Sequence, residues 1–550
     1  MQHFPELFEA MLRERGITPE EQEGFLNPDY EKLHNPLALP DMEKARDRVI
    51  KAVKDNEHVV VFSDYDCDGL PGAVVLSDFF ARIGYNNISF YVPHRHDEGF
   101  GLNQDAIKEI ITRGTKLLIT IDCGIADAKE VALANENGVD VIVTDHHKPN
   151  PLSAGGLPNA YAIVNQNRDD SDYPFKGLCG AALAFKLVQA VVLQETFGVK
   201  PGMEKWSLDM VAIATLSDMV PLLDENRIFA RFGLSVLRKS PRPGLAALFK
   251  KMNLDQSTVS EDDVTFMITP RINAASRMGV PKDAFQLLST KDYSEAERLA
   301  LYLEQINNER KGVVASIVKE AKFRLAGRED LPDVIVIGNP EWRPALLGLV
   351  ANSLVEEYER PVFIWGRSGD GTLKGSCRSY NGYDLFALMN IASGAFIEFG
   401  GHTGAGGFSV TLESLTTLEE KLSQALSNLE AGSSSGDLSL FDINLDDIGE
   451  NLWNLVSSFA PFGMGNKKPI FKIPKAEIKS VRKFGKESNH LEVTFNSGKN
   501  EIKAISFFSS PDSYPTPLTP GTRVSLLANL EKSYFRNYPE LRLRIVDIEP

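Results

Sequence analysis

Cysteine is scarce in this sequence: there are four residues in 550, Cys67, Cys123, Cys179 and Cys377, none of them in a Cys-x-x-Cys pair. That spacing offers neither a disulfide framework nor a zinc ribbon, and reduced thiols are expected. Also missing is any window of about 18 uninterrupted apolar residues, so no membrane-spanning helix is predicted. The opening residues, Met1-Gln-His-Phe-Pro-Glu-Leu-Phe-Glu, lack a basic stretch followed by an apolar one, and a cytoplasmic location with no membrane partner is expected. Overall positive charge is absent too. A net charge of −16 argues against a protein that coats nucleic acid indiscriminately.

What is present is a chain of ordinary globular composition, without internal repeats, long enough at roughly 150 residues per domain for about three or four domains. Its charge is unevenly divided. Over residues 461–550, fifteen Lys and Arg stand against nine Asp and Glu, so a basic module follows an acidic body.

After an N-terminal helical segment (1–50), apolar runs at 58–62, 116–121 and 139–144 read as buried parallel strands, with a further strand at 160–164. Helical patterns at 72–83 and 126–137 lie between them, as in a doubly wound α/β sheet, and this domain is placed at 51–290. Residues 293–325 carry helical spacing without proline, which predicts a connecting helix within 291–330. Strand-like runs at 333–337, 361–365, 373–376 and 407–412, alternating with helices at 345–358 and 384–391, predict a smaller α/β domain at 331–432. The Gly- and Ser-rich stretch 430–437 marks a linker. Beyond it, short β-rich runs at 475–482, 491–495, 501–507, 523–530 and 541–548 predict a small barrel at 433–550.

The chemistry sits where the strands end. The first run leads into Asp64-Tyr65-Asp66-Cys67-Asp68-Gly69, the second into Asp122-Cys123-Gly124 and the third into Asp145-His146-His147. Open parallel sheets bind ligands at the carboxyl ends of their strands, so three loops carrying five aspartates and two histidines share one cleft. A single aspartate at a strand end reads as a helix cap, but seven such residues together do not. Carboxylates gathered this closely repel one another unless cations neutralise them. Oxygen and imidazole ligands without thiolates suit Mn²⁺ or Mg²⁺. Cys67 and Cys123 read as small space-fillers. By itself Asp218, after the apolar run 210–216, reads as a helix-end carboxylate.

These three motifs resemble those of the DHH phosphoesterase superfamily. The ordered series 98–103, 144–149, 217–222, 270–279, 376–379, 400–402 and 461–466 resembles, along nearly the whole chain, the RecJ family of single-strand-specific 5′ exonucleases. The resemblance implies a DHH catalytic domain, a DHHA1 domain and a C-terminal OB-type barrel. It implies two divalent ions, Mn²⁺ ahead of Mg²⁺: Asp64 and Asp66 at one, Asp68, His146 and Asp218 at the other, Asp122 bridging, His147 facing the scissile phosphate and Asp145 orienting its neighbours. Arg271, Asn273 and Arg277 are then substrate clamps, and Ser376, Arg378, Gly400, Gly401 and His402 the phosphate contacts of the second domain.

In the barrel, Lys475, Lys479, Arg482, Lys483, Lys486, Lys503 and Arg523 lie among Phe484, Phe495, Phe507, Phe508, Tyr534, Phe535 and Tyr538, the mixture that binds single strands by charge and stacking. Two stretches depart from the family pattern: Leu70-Pro71-Gly72 after the first motif, and Arg343-Pro344. The implied activity is metal-dependent 5′→3′ hydrolysis of single-stranded DNA to mononucleotides in recombination and repair, with a helicase and a single-strand-binding protein as partners. Two rivals are an oligoribonucleotide or cyclic-dinucleotide phosphodiesterase, against which the appended barrel argues, and a non-catalytic replication scaffold, against which the full ligand set argues.

Overall fold

Buried Val- and Ile-rich runs do form the first sheet. The computed structural model describes residues 3–149, 156–369, 371–429, 440–485, 488–498, 501–534 and 539–550. Strands β1 (Val59–Ser63), β2 (Ile88–Tyr91), β3 (Leu117–Ile121), β4 (Asp140–Thr144) and β5 (Ala162–Val164) are all parallel, in the order β2-β1-β3-β4-β5. The chain winds outward from β1 to the edge at β2, then returns to the other side of β1 as β3. That reversal opens a crevice between the carboxyl ends of β1 and β3, the place where such sheets bind ligands. Strand β2 escaped the sequence reading because it is a short, half-buried edge strand rather than a continuous apolar run.

The 34-residue helix Tyr293–Ala326 leaves this domain. Its first half places Leu299, Leu303 and Ile306 in the core of the first domain, and its second half places Ile317, Ala321 and Leu325 in the core of the next domain. At 1.5 Å per residue it spans about 50 Å. The second domain pairs β6 (Ile335–Gly338), β7 (Val362–Arg367), β8 (Leu373–Arg378), β10 (Ala405–Val410) and the edge strand β9 (Glu398–Gly401) in that order, parallel only between β6 and β7.

The third unit contains β11 (Leu440–Asp442), β12 (Ile470–Phe484), β13 (His490–Asn496), β14 (Glu501–Phe507), β15 (Arg523–Ser533) and β16 (Glu540–Glu549). β15 pairs with both β16 and β12, which closes the sheet into a barrel. The expected linker at 430–437 lies outside the described residues.

The N-terminal segment is not one unit. Phe8, Met11, Leu12, Phe25 and Leu26 share a core with Phe441, Phe459 and Phe471 of the barrel region, whereas the helix Met42–Lys54 packs into the core of the first sheet. The expected boundary at residue 50 therefore gives way to a division after the first two helices: their apolar faces are buried against elements more than 400 positions away. Among the described residues no helix is long and apolar enough to cross a membrane.

Candidate metal centre

Each acidic motif is shaped by its backbone before any ligand is considered. The Asp64 N–H extends the sheet to Ile121 O at 3.0 Å, and the chain then doubles back so tightly that a Cβ at Gly69 would lie 2.5 Å from Asp64 O. Asp66 Oδ1 accepts the Asp68 N–H at 2.8 Å, which folds the motif into a compact turn. Pro71 falls in the first turn of the helix Gly69–Arg82, where a missing N–H costs little, and Pro344 opens the helix Pro344–Tyr358. Both departures from the family pattern fit the local structure.

Asp68 is held by the start of another helix. Gly180 and Ala181, the first residues of the helix Gly180–Gln194, donate their amides to Asp68 Oδ2 and Oδ1 at 2.6 and 2.8 Å. The positive end of that helix favours the anion. Asp122 follows β3 in the left-handed conformation, φ 61°, an uncommon state for a non-glycine residue that its surroundings must hold in place.

Three groups of ligating atoms result, each gathered within 4.8 Å: Asp64, Asp66 and Asp122; Asp68, His146 and Asp218; Asp122, His146 and His147. His146 Nε2 lies 3.1 Å from Asp122 Oδ1, 3.7 Å from Asp68 Oδ2 and 3.8 Å from Asp218 Oδ2. Asp64 Oδ1 and Asp122 Oδ1 are buried and accept no well-aligned hydrogen bond among the described residues. Burial and the neighbouring carboxylates raise the carboxyl groups of Asp64 and Asp122 well above the ordinary range, and Asp218 to about 9. Orphaned carboxylate oxygens facing one another across a polar crevice fit hard divalent cations.

Asp145 is not in this set. Its Oδ1 accepts both the backbone N–H of His147 and the ring Nδ1–H at 3.0 and 2.8 Å, while its Oδ2 accepts the Ile125 N–H at 3.0 Å. Burial disfavours a charged His147 ring, but the hydrogen bond and charge of Asp145 outweigh it and raise the pKa to about 9. Exposed Phe100 stands edge-on to that ring at 5.7 Å. The Cys67 thiol accepts from Ser217 Oγ at 3.3 Å and stays out of the ligand set.

The three expected clamps have different surroundings. Asn273 Oδ1 accepts the Cys67 N–H at 2.9 Å and thereby braces the first motif. Arg271, 7% exposed, is paired with Glu304 and donates to Met267 O. Arg277 has no carboxylate partner among the described residues; it donates to Ala345 O at 2.7 Å, across to the second domain. Burial, then the charges of Arg95, Arg310 and Arg378, lower its pKa to about 10, against the attraction of Asp66. Among the described residues these four guanidiniums, from both domains and the connecting helix, pair with no acid, and they lie near enough for their charges to act on one another beside Asp66.

The sequence reading missed Arg95, which lies over the Tyr65 ring at 4.9 Å, and Arg310. Arg310 did leave a sequence signal, a cation with no acid three or four positions away, whereas Arg95 has Glu98 three positions on and left none. Ser376 and Arg378 lie on β8; Gly400 and Gly401 end β9, beside β10, and His402 follows them. Gly348 meets Arg378 closely, a Cβ there being 2.8 Å from its Nη2.

On the barrel, much of the excess charge is already spent: Arg482 pairs with Glu492, Lys503 with Glu540 and Arg523 with Glu477, and Lys479 with Glu501. Phe495 is core, while Phe484, Phe507 and the 82%-exposed Phe508 surround His490 at 4.9 to 5.2 Å, with the Arg544 guanidinium 4.0 Å from the Phe507 ring. Lys486, Phe535 and Tyr538 lie outside the described residues.

Comparison with known proteins matches this division. Residues 58–215 match the DHH family N-terminal domain, 332–428 the DHHA1 domain and 441–547 the RecJ OB domain. The single-stranded-DNA-specific exonuclease RecJ of Bacillus subtilis is 32% identical over 550 residues, covering 99% of this chain and 68% of the relative. The protein of the same name from Haemophilus influenzae is 30% identical over 568 residues, covering 99% and 96%. The crystal structure of RecJ in complex with Mn²⁺ from Thermus thermophilus shares the fold with a TM-score of 0.80 at 24% identity, covering 99% of this chain and 76% of that one. A structure of exonuclease RecJ bound to manganese gives 0.60 at 29% identity, covering 72% and 96%.

Proposed function

The chain belongs to the RecJ family of single-stranded-DNA-specific exonucleases, and from that premise we propose that it degrades single-stranded DNA from the 5′ end to 5′-mononucleotides in DNA recombination and repair. The observation that carries this reading is the convergence of Asp64, Asp66, Asp68, Asp122, His146 and Asp218 in groups within 4.8 Å at the crevice between β1 and β3. Asp64 and Asp66 would hold one divalent ion, Asp68, His146 and Asp218 the other, and Asp122 both, with Mn²⁺ ahead of Mg²⁺. Bound there, the ions supply charge neutralisation for the attacked phosphate and a lowered pKa for the attacking water.

The chain's own residues do the rest. His147, held by Asp145 in its protonated form, offers an N–H to a phosphate oxygen. Arg277, Arg378, Arg95 and Arg310 give forked donors to the phosphates. Ser376, Gly400, Gly401 and His402 complete the contact from the second domain, where glycine lets an anion approach the backbone. Asn273 and Arg271 act on the same substrate through the elements they fix. A cleft between two α/β domains tied by one stiff helix admits a single strand and excludes a duplex, and the aromatic and cationic groups around His490 draw the strand in. A helicase and a single-strand-binding protein as suppliers of substrate, and the cytoplasm as location, belong to the same proposal.

The test is purified protein with Mn²⁺ on 5′-labelled and 3′-labelled single strands, beside matched duplex and RNA, with Asp122→Ala as control. Immediate release of mononucleotide from the 5′ label alone, with duplex spared and Asp122→Ala inert but still binding, is expected. Tight binding without cleavage would favour a scaffold, and cleavage confined to dinucleotides or short RNA a phosphodiesterase.

A further inference from the structure

The segment 461–466, Pro-Phe-Gly-Met-Gly-Asn, carries family resemblance but touches none of the chemistry described above. It lies against the loop 218–224 that follows Asp218. Met464 O accepts the Leu222 N–H at 2.7 Å. The fit leaves no space for side chains: a Cβ at Gly463 would stand 2.8 Å from Leu222 Cδ1, and one at Gly465 would stand 3.3 Å from Leu223 Cγ. Asn466, 1% exposed, locks the segment by donating to Phe459 O and Pro461 O, both at 2.8 Å, and by accepting from Arg15 Nε at 2.8 Å.

The other side of the same loop meets the fully buried Asn226, in the first turn of the helix Asp224–Leu237. Its Nδ2 donates to Pro221 O at 3.0 Å and to Gly177 O at 2.5 Å. Pro221 belongs to the loop of Asp218, and Gly177 precedes the turn whose Gly180 and Ala181 amides hold Asp68. One side-chain amide therefore ties together the two segments that present Asp218 and Asp68. The next residue, Arg227, faces the opposite way. It gives its guanidinium to the carbonyls of Phe25, Phe459 and Ala460 at 2.7 to 3.1 Å, gripping the N-terminal helices and the approach to the barrel. Met219 and Asp224, near the two ends of the loop, are both left-handed, φ 57° and 45°, a state non-glycine residues keep only when their surroundings dictate it.

We infer that Asn226 is a positioning residue for Asp68 and Asp218, and that the Asn466-locked segment sets the loop 218–224. Docking of the barrel then governs the metal position built from Asp68, His146 and Asp218, and leaves the position of Asp64 and Asp66 alone. The inference rests on the two-metal reading above.

Titration of the whole chain with Mn²⁺ alone, followed by the electron paramagnetic resonance of the free ion, tests it without reference to activity. Wild-type protein is expected to bind two ions. Asn226→Ala and Asn466→Ala are each expected to weaken one of the two by about tenfold or more and leave the other unchanged, the size of effect seen when groups that orient metal ligands are removed. At limiting Mn²⁺ their kcat falls and is restored by added Mn²⁺, while KM for single-stranded DNA holds. A lowered unfolding midpoint with both Mn²⁺ affinities unchanged would reduce these residues to structural supports and overturn the inference alone. A wild-type chain that binds no Mn²⁺ overturns the metal reading and the inference with it. If Asn226→Ala does not fold, Asn226→Asp, which keeps the shape and loses the donor, decides the matter together with Asn466→Ala.

Discussion

A methyl group built on Gly180 would stand 2.6 Å from Cβ of Asp122 and 3.0 Å from its carboxyl carbon. Gly180 is also the residue whose amide holds Asp68, so one position fixes two carboxylates: one through its N–H, the other through the side chain it lacks. Gly180→Ala should displace Asp122 while leaving the surrounding helix intact, and an error of about 1 Å at a reacting centre costs about 10²-fold in rate. Steady-state kinetics with Mn²⁺, beside circular dichroism, check this. Activity within about threefold of wild type would show that Asp122 tolerates the shift.

Metal should stabilise the fold as well as activate it. Buried carboxylates facing one another destabilise the metal-free chain, and a ligand at 100 times its Kd adds about 2.7 kcal/mol per site. Mn²⁺ is expected to raise the melting temperature, EDTA to reverse the gain, and Asp122→Ala to blunt it. Identical melting curves with and without Mn²⁺ would contradict the assignment of these residues as ligands.

Asp127 offers a pH dependence outside the metal set. Its Oδ2 accepts the Leu102 N–H at 2.8 Å and caps the loop that carries Phe100, and burial raises its pKa from 3.8 to about 6. A carboxyl whose folded value is raised favours the fold when protonated. That contribution is complete below 3.8 and is lost as pH climbs to about 6, up to about 3 kcal/mol in all. Asp127→Asn keeps an acceptor for Leu102 and removes the titration. Urea melts should find the variant's advantage over wild type growing from pH 4 to pH 7 and then constant; an advantage independent of pH would exclude Asp127 as the titrating group.

Two neighbouring arginines should separate cleanly. Arg271 is neutralised by Glu304, so Arg271→Ala should lower stability by about 2 kcal/mol through the unpaired partners it leaves. Arg277 pairs with no acid among the described residues, and Arg277→Ala should raise KM for single-stranded DNA with little loss of stability. Equal effects of both on KM, with folding unchanged, would restore Arg271 to the strand.

The catalytic sheet was legible because β1, β3 and β4 are buried on both faces and read as unbroken apolar runs, and the acid and imidazole groups that gather at its crevice because most of them stand directly after those runs. The edge strands β2 and β9 were not, since one is half-buried throughout and the other ends in two glycines. The helical pattern of residues 5–14 shows that an apolar face must be covered, but says nothing of what covers it. Asn273, Arg271 and Asn226 were opaque for the same reason. Each side chain bonds a group brought near only by folding, and a sequence gives the donor without its address.

The shared core of Phe8, Phe25 and Phe459 also has a consequence in time. A ribosome adding about 5 to 20 residues per second needs about half a minute to nearly two minutes between residue 26 and Ile548. Until then the first two helices lack the core they share with the barrel region, whereas the first sheet has all its strands once Val164 has been made. These two helices, made before the catalytic sheet, are therefore covered long after it, and their apolar faces are open to aggregation in the meantime.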